Sequence, residues 1–252
     1  MGDITLWQGD CLDLMKEIPD NSVDMIFCDL PYGTTACKWD KAIQLDVLWN
    51  QYKRIIKSNG AVLLFGKQPF TTDLINSNRK WYRYSWVWLK NIANGYLNAK
   101  VMPLQVMEDI TVFYRHKPIY NPQIEKGFER KTSKASSKRK CKAAEVYNKA
   151  ICIKDYDSTE RYPINVLYFE SDKHKTCLHP TQKPVALLEY LVKTYTDIGG
   201  VVLDNCMGSG STGVACKKLE RNFIGIELEE KYFDIAKKRI DSTQMAIASE
   251  LF

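Results

Sequence analysis

Two groups of residues in this 252-residue chain could do chemistry. The first is Asp204-Asn205-Cys206-Met207-Gly208-Ser209-Gly210-Ser211-Thr212-Gly213, which follows the apolar run Val201-Val202-Leu203. Glycines between a strand and a helix let the backbone turn sharply and let a ligand approach the main chain. The helix start beside them offers unpaired N–H donors. The next apolar run ends in Glu227, and an acid at a strand end can accept hydrogen bonds from both hydroxyls of a ribose. Loop plus acid implies a nucleoside-containing cofactor. Gly208-x-Gly210-x-x-Gly213 also fits the dinucleotide fingerprint, so the glycines alone do not separate NAD from S-adenosylmethionine. Two features favour the latter. Only 25 residues follow Glu227, too few for the rest of a dinucleotide domain. Asp204 would repel a pyrophosphate but suits an ammonium or a sulfonium.

The second group is Asp29-Leu30-Pro31-Tyr32, delivered by the apolar run Val23-Asp24-Met25-Ile26-Phe27-Cys28. An amino group on an aromatic ring is a poor nucleophile, because its lone pair is delocalised into the ring. Acceptors around the NH₂ hold its hydrogens and favour a more tetrahedral nitrogen. The Asp29 carboxylate and a main-chain carbonyl could be two such acceptors, with Pro31 restricting the backbone. Tyr32 offers a flat face on which a base can stack. Alone, this string reads better as a strand terminator. It gains meaning from the nucleoside-binding group elsewhere in the chain.

Both groups must sit at strand ends. Residues 4–8 alternate apolar and polar as a strand, and Leu12, Met15 and Ile18 follow helical spacing up to Pro19. Residues 23–28 suit a buried strand. Residues 45–57 predict a helix, ended by Asn59-Gly60, and 61–65 the next strand. A short helix is expected over 71–78, with strands over 82–89 and 110–114. Residues 116–178, with Pro118, Pro122, Ser136 and Ser137 and weak periodicity, are expected to form an inserted module or long loops outside the sheet. Pro184 suits a first helical turn. Val185, Leu188, Leu191, Val192 and Tyr195 then make one helical face. Strands are expected at 201–203 and 223–226, with helices over 212–219 and around Phe233, Ala236 and Ile240. Short buried strands alternating with amphipathic helices predict an α/β fold with a doubly wound, mostly parallel sheet.

Taken together, these residues resemble the β class of S-adenosylmethionine-dependent DNA amino-methyltransferases. There an Asp/Asn/Ser-Pro-Pro-Tyr motif comes first, a target-recognition region second and the cofactor loop last. Asp29 to Tyr32, the segment 115–178 and Asp204 to Gly213 stand in that order. The resemblance covers residues 4–115 and 179–240. It implies a Rossmann-like methyltransferase fold divided into a catalytic half (1–115), a target-recognition insertion (116–178) and a cofactor-binding half (179–252). Gly9-Asp10-Cys11 resembles the segment whose acid contacts the cofactor's adenine. His179-Pro180-Thr181-Gln182-Lys183-Pro184 resembles the run that helps hold the methionine part. Glu227 matches the ribose-binding acid. By resemblance, Asp10, Cys11, Asp29, Thr181, Lys183, Asp204, Met207, Gly208, Ser209, Gly210, Thr212 and Glu227 bind the cofactor. Asp29, the Leu30 carbonyl, Pro31 and Tyr32 form the catalytic string. Leu30 stands where the family often has proline, and Cys206 where an aromatic usually lies. Aspartate at the first catalytic position points to N6 of adenine. The resemblance further implies double-stranded DNA as partner, with a second copy of the chain and a restriction endonuclease as candidate partners, and a bacterial or phage enzyme at the nucleoid.

Composition agrees with this class. The net charge is +6, and residues 115–150 carry eleven Lys/Arg against three Asp/Glu. A localised cationic stretch is what phosphate partners attract. Lys131, Lys134, Lys138, Arg139, Lys140 and Lys142 are its candidate DNA contacts, which would set salt-dependent affinity and not base choice. Asn94, Asn98, Asn121 and Gln123 could reach base edges. The eight cysteines form no C-x-x-C pair, so a zinc site is not expected, and Cys28, Cys206 and Cys216 read as small buried hydrophobes. No apolar run approaches the ~20 residues that span a bilayer, and Met1 to Thr5 lacks the pattern of a secretory signal. Cytoplasm is the expected compartment. Three alternatives stay open: methylation of cytosine N4 or of an RNA base, an NAD-linked oxidoreductase, and a DNA-binding module without catalysis.

Overall fold

Strands without polar alternation must be covered on both faces, and the central strands of this protein are built that way. A computed structural model describes residues 2–33, 42–134, 155–172 and 182–244. In chain order the elements are β1 (Ile4–Gln8), α1 (Cys11–Leu14), β2 (Val23–Cys28), α2 (Leu45–Ile55), β3 (Ile56–Gly66), α3 (Phe70–Ser77), β4 (Tyr82–Asn94) and β5 (Gln105–Phe113). Then follow β6 (Lys131–Ser133), β7 (Tyr156–Ser158), β8 (Val166–Tyr168), α4 (Val185–Tyr195), β9 (Val201–Asp204), α5 (Ser211–Lys218), β10 (Asn222–Glu227) and α6 (Glu230–Asp241). On β2, Met25 and Phe27 pack into one apolar layer with α4 and α5, while Ile26 and Cys28 pack into another with α2.

Eight strands form one sheet in the order β1-β10-β9-β2-β3-β5-β4-β8. Only β5 runs against the other seven. The expected doubly wound, mostly parallel sheet is therefore present. Strand order reverses between β9 and β2, where Met25 pairs with Val202 and Ile26 with Leu203. Crossovers leave these two neighbours in opposite directions, which opens a crevice at their carboxyl ends. No helix among the described residues is long and apolar enough to cross a membrane.

The described residues fall into two compact units, one from residues 1–121 and 165–252, the other Pro122–Ile164. The smaller unit holds the two-stranded β6–β7 pair, an Arg130–Asp157 ion pair at 2.6 Å and the bridge between Glu125 and Arg161. The larger unit is anchored at both of its seams. Asn121 donates through Nδ2 to Asp197 at 2.9 Å, and the Asn165 carbonyl accepts from the Val87 N–H at 2.8 Å.

Two expectations about elements need correction. Asn59-Gly60 does not end a helix. α2 stops at Ile55, and 59–60 lie inside β3, in an irregular stretch opposite Asp24 where pairing jumps from Val23–Ile56 to Met25–Ala61. A Cβ on Gly60 would come within 2.8 Å of the Asp24 carbonyl oxygen, so glycine is needed here for close approach of two backbones. Within the stretch expected to stand outside the sheet, Val166–Tyr168 joins it as β8 beside β4. Three residues, of which only Leu167 is buried, carry too little periodicity to be seen in sequence.

Candidate active site

The crevice at the β2–β9 reversal is a cavity of about 640 Å³. It is lined by Asp29, Leu30, Pro31 and Tyr32 after β2, and by Asp204 to Ser209 after β9. The two groups singled out in sequence therefore open onto one space, together with Asp10, Cys11, Lys183, Thr212 and Glu227. Thr181, Lys138, Arg139, Lys140 and Lys142 lie outside the described residues.

The glycine-rich turn is shaped by three glycines with three different duties. Gly208 (φ 52°) lines the cavity. Gly210 (φ 75°) does not, which departs from its expected place against the cofactor. A Cβ on Gly210 would lie 2.9 Å from the Ala236 Cβ, so this glycine lets the turn seat on α6. Gly213 lies within α5, where a Cβ would meet Ile240 at 2.4 Å and Phe223 at 2.8 Å, so it sets helix packing. Arg239 of α6 braces the turn, donating to the Ser209 carbonyl at 3.1 Å and to Ser211 Oγ at 2.9 Å.

Two acids face the cavity from β9 and β10. Glu227 accepts from the Gly208 N–H at 2.8 Å and from the Glu229 N–H at 2.9 Å. The Leu228 N–H also acts on this carboxylate, whose two oxygens offer about four acceptor sites and so keep capacity for a hydroxyl donor. Burial pushes its carboxyl above the ordinary range, against the pull of those amides. Asp204 accepts from the Thr212 hydroxyl at 2.6 Å and the Cys206 N–H at 3.2 Å. Burial pushes its carboxyl up to about 7. No cation among the described residues pairs with it. A buried carboxylate on a cavity wall with no counter-ion fits a ligand that brings its own positive charge. Asp10 caps α1 through the Leu12 N–H at 2.8 Å, which fixes its carboxylate at the rim.

The Asp29 loop is held differently. Tyr32 donates its hydroxyl to Asp29 Oδ1 at 2.8 Å and stacks on Phe70, ring centroids 4.7 Å apart. Lys183 donates to Asp29 Oδ2 at 2.5 Å, lies 3.4 Å from Glu108 Oε2, and sits 4.7 Å above the Phe65 ring. Lys183, expected to help hold a cofactor, lines the cavity and is engaged there by two carboxylates. Burial pushes the Asp29 carboxyl above its usual range while Lys183 pulls it back. Burial opposes the charge on Lys183, yet Asp29 and Glu108 hold its ammonium above the ordinary range. Glu108, despite burial, is held down at about 2 by Lys183 and Lys90.

Sequence reasoning missed Glu108, Lys90 and Trp88, and gave no role to Asn205, though all four line the cavity. Trp88, Lys90, Ile92 and Asn94 reach it at a spacing of two along β4, and the expected strand stopped at Leu89. Asn205 accepts from the buried Tyr52 hydroxyl at 2.6 Å, tying the turn to α2. Of the residues suggested for base edges, Asn94 lines the cavity, whereas Asn121 is committed to Lys193, Thr196 and Asp197. Lys131 and Lys134 are exposed on the smaller unit. Cys28 and Cys216 are buried free thiols as expected, but Cys206 is only half-buried.

Residues 23–238 match the family model described as DNA methylase. The chain is 29% identical over 267 residues to the Type II methyltransferase M.HinfI of Haemophilus influenzae, covering 94% of this chain and 68% of that protein. It is 25% identical to the Type II methyltransferase M2.MboI of Moraxella bovis, covering 98% and 91%. Among solved structures, the M1.HpyAVI–SAM complex superposes with a TM-score of 0.65 at 25% identity, covering 94% of this chain and 99% of that one.

Proposed function

The chain belongs to the DNA methylase family of the N6/N4 type, and from that premise we propose that it transfers a methyl group from S-adenosylmethionine to N6 of adenine in double-stranded DNA. The observation that carries this reading is the shared cavity, with Asp29 and Tyr32 at one strand end and the Asp204–Ser209 turn at its neighbour. When bound, S-adenosylmethionine supplies an electrophilic methyl group on a sulfonium. Glu227 holds the ribose hydroxyls, Asp10 the adenine edge and Asp204 the cationic methionine part. Asp29 and the Leu30 carbonyl accept from the target amino group, and Tyr32 stacks on a base drawn out of the duplex. Positioning and stabilisation of charge growing on the amine do most of the work. Residues 116–178 meet DNA, with Lys131 and Lys134 among the phosphate contacts. Adenine is favoured over cytosine by the aspartate at position 29.

The deciding experiment incubates the protein with DNA and isotopically labelled S-adenosylmethionine, then digests the DNA to nucleosides. N6-methyldeoxyadenosine is the expected product. N4-methyldeoxycytidine would correct the base and leave the family intact, and absence of label in DNA would end the reading.

The uncompensated Asp204 gives a second expectation. Burial pushes its carboxyl up to about 7, and a cationic ligand prefers the ionised form, so protons compete with the cofactor. Affinity for S-adenosylmethionine should fall about tenfold between pH 8 and pH 6. Asp204→Asn should bind more weakly at pH 8 and lose most of this dependence. Calorimetric titrations across that range check it, and a parallel pH dependence in both proteins would assign it to another group.

A further inference from the structure

Two carboxylates from different strands converge on one buried ammonium beside the catalytic loop. Lys183, which precedes α4, touches Asp29 of the β2 loop and Glu108 of β5. Glu108 is paired in turn, through its other oxygen, with Lys90 of β4. The oxygen of Glu108 that faces Lys183 is buried and lies 3.4 Å from the ammonium, where it acts on it mainly by charge. The result is a row of alternating charge, Asp29, Lys183, Glu108, Lys90, all four lining the cavity. Besides Lys183 and Glu108, Asp29 is faced by the Tyr32 hydroxyl, the Cys28 thiol at the end of β2 and the Asp204 carboxyl at the end of β9. Among those described groups Lys183 is the one cation.

This arrangement answers two opposing demands on Asp29. A carboxylate buried without a counter-ion takes up a proton and ceases to be a pure acceptor. A carboxylate that has an ammonium to itself stays ionised, but spends its acceptor strength on that ammonium. A shared ammonium satisfies both demands. We propose that Lys183 and Glu108 are positioning residues for methyl transfer. Lys183 keeps Asp29 anionic and aimed, and Glu108 draws off part of the Lys183 charge so that Asp29 stays a strong acceptor for the target amine. Because the row carries no net charge, a cationic methyl donor and an amine gaining positive charge meet no repulsive field from it. The proposal rests on the assignment of Asp29 given above.

The test uses the full chain and two readouts. One is the titration of Asp29 by carbon NMR of protein labelled at aspartate carboxyls, its signal assigned with Asp29→Asn. The other is the pH profile of the single-turnover methylation rate. Lys183→Met should raise both the Asp29 titration and the acidic limb of the rate by about one pH unit or more. Glu108→Gln should move both the opposite way, and lower the plateau rate about tenfold. Lys183→Arg should return the limb toward its wild-type position. A role limited to packing predicts lower rates with unmoved titrations, and that outcome overturns the proposal. Should Lys183→Met fail to fold, Glu108→Gln still decides, since it keeps the shape of the side chain. Should the wild-type protein transfer no methyl group, the functional assignment falls, while the NMR titrations still decide whether Lys183 and Glu108 tune Asp29.

Discussion

Asp29→Ala is expected to slow methyl transfer at least a hundredfold, equivalent to about 3 kcal/mol of barrier, while changing S-adenosylmethionine affinity only a few-fold. The contrast follows from where Asp29 sits. Its Oδ2 is held by Lys183 and its Oδ1 by the Tyr32 hydroxyl, both in the part of the cavity built from the β2 loop. The Asp204–Ser209 turn and Glu227 are held by bonds of their own, to Thr212, Gly208 and Glu229. Alanine at 29 removes the acceptor for the target amine and leaves Lys183 to Glu108, with the turn intact. Single-turnover rates and cofactor titrations on the same preparation separate the two effects. Methylation near the wild-type rate would remove Asp29 from the chemistry, and collapse of cofactor binding would mean that the residue holds up the cavity.

Gly210→Val is expected to destabilise the protein by roughly 3 kcal/mol and to weaken cofactor binding at least tenfold. Two costs add. A left-handed backbone, φ 75°, costs a residue with a Cβ about 1–2 kcal/mol. The Cβ itself would stand 2.9 Å from the Ala236 Cβ and 3.1 Å from its Cα, which are parts of a helix that cannot swing aside. Overpacking of this kind costs about 1–3 kcal/mol. The turn must lift from α6, and Gly208 and Ser209, on the cavity wall, move with it. Urea unfolding and cofactor affinity both report the change. A stable variant with normal affinity would show that the turn tolerates a shift that its contacts oppose.

Most of the frame was legible in the sequence, because its strands and helices carry unmixed patterns. The run from Val23 to Cys28 is buried at every position but Asp24, and such a run in an alternating α/β chain has few other places to go than the sheet centre. Both chemical groups were expected at strand ends, and the structure sets them at the ends of the neighbouring strands β2 and β9. The failures share a cause. Asn59-Gly60 carries the composition of a turn, but its role is set by Asp24 on the neighbouring strand, which local pattern does not reveal. The pairing of Lys183 with Asp29 and Glu108 was out of reach for the same reason, because those partners are 154 and 75 positions away in the chain. Glu108 did leave a signal. It is in phase with Ile110 and Val112, both fully buried, and an acid on the inward parity of a buried strand must meet a cation or line a site.

The seams of the smaller unit carry a consequence for how such a protein can diversify. Asn121 and Asn165 each belong to the frame and are fastened there by their own hydrogen bonds. The described residues of Pro122–Ile164 form a compact unit between those fixed points. Insertions between fixed ends cost little in chain entropy as they lengthen. A lineage could therefore rewrite this excursion, in length or in wording, while the machinery at the strand ends keeps its register.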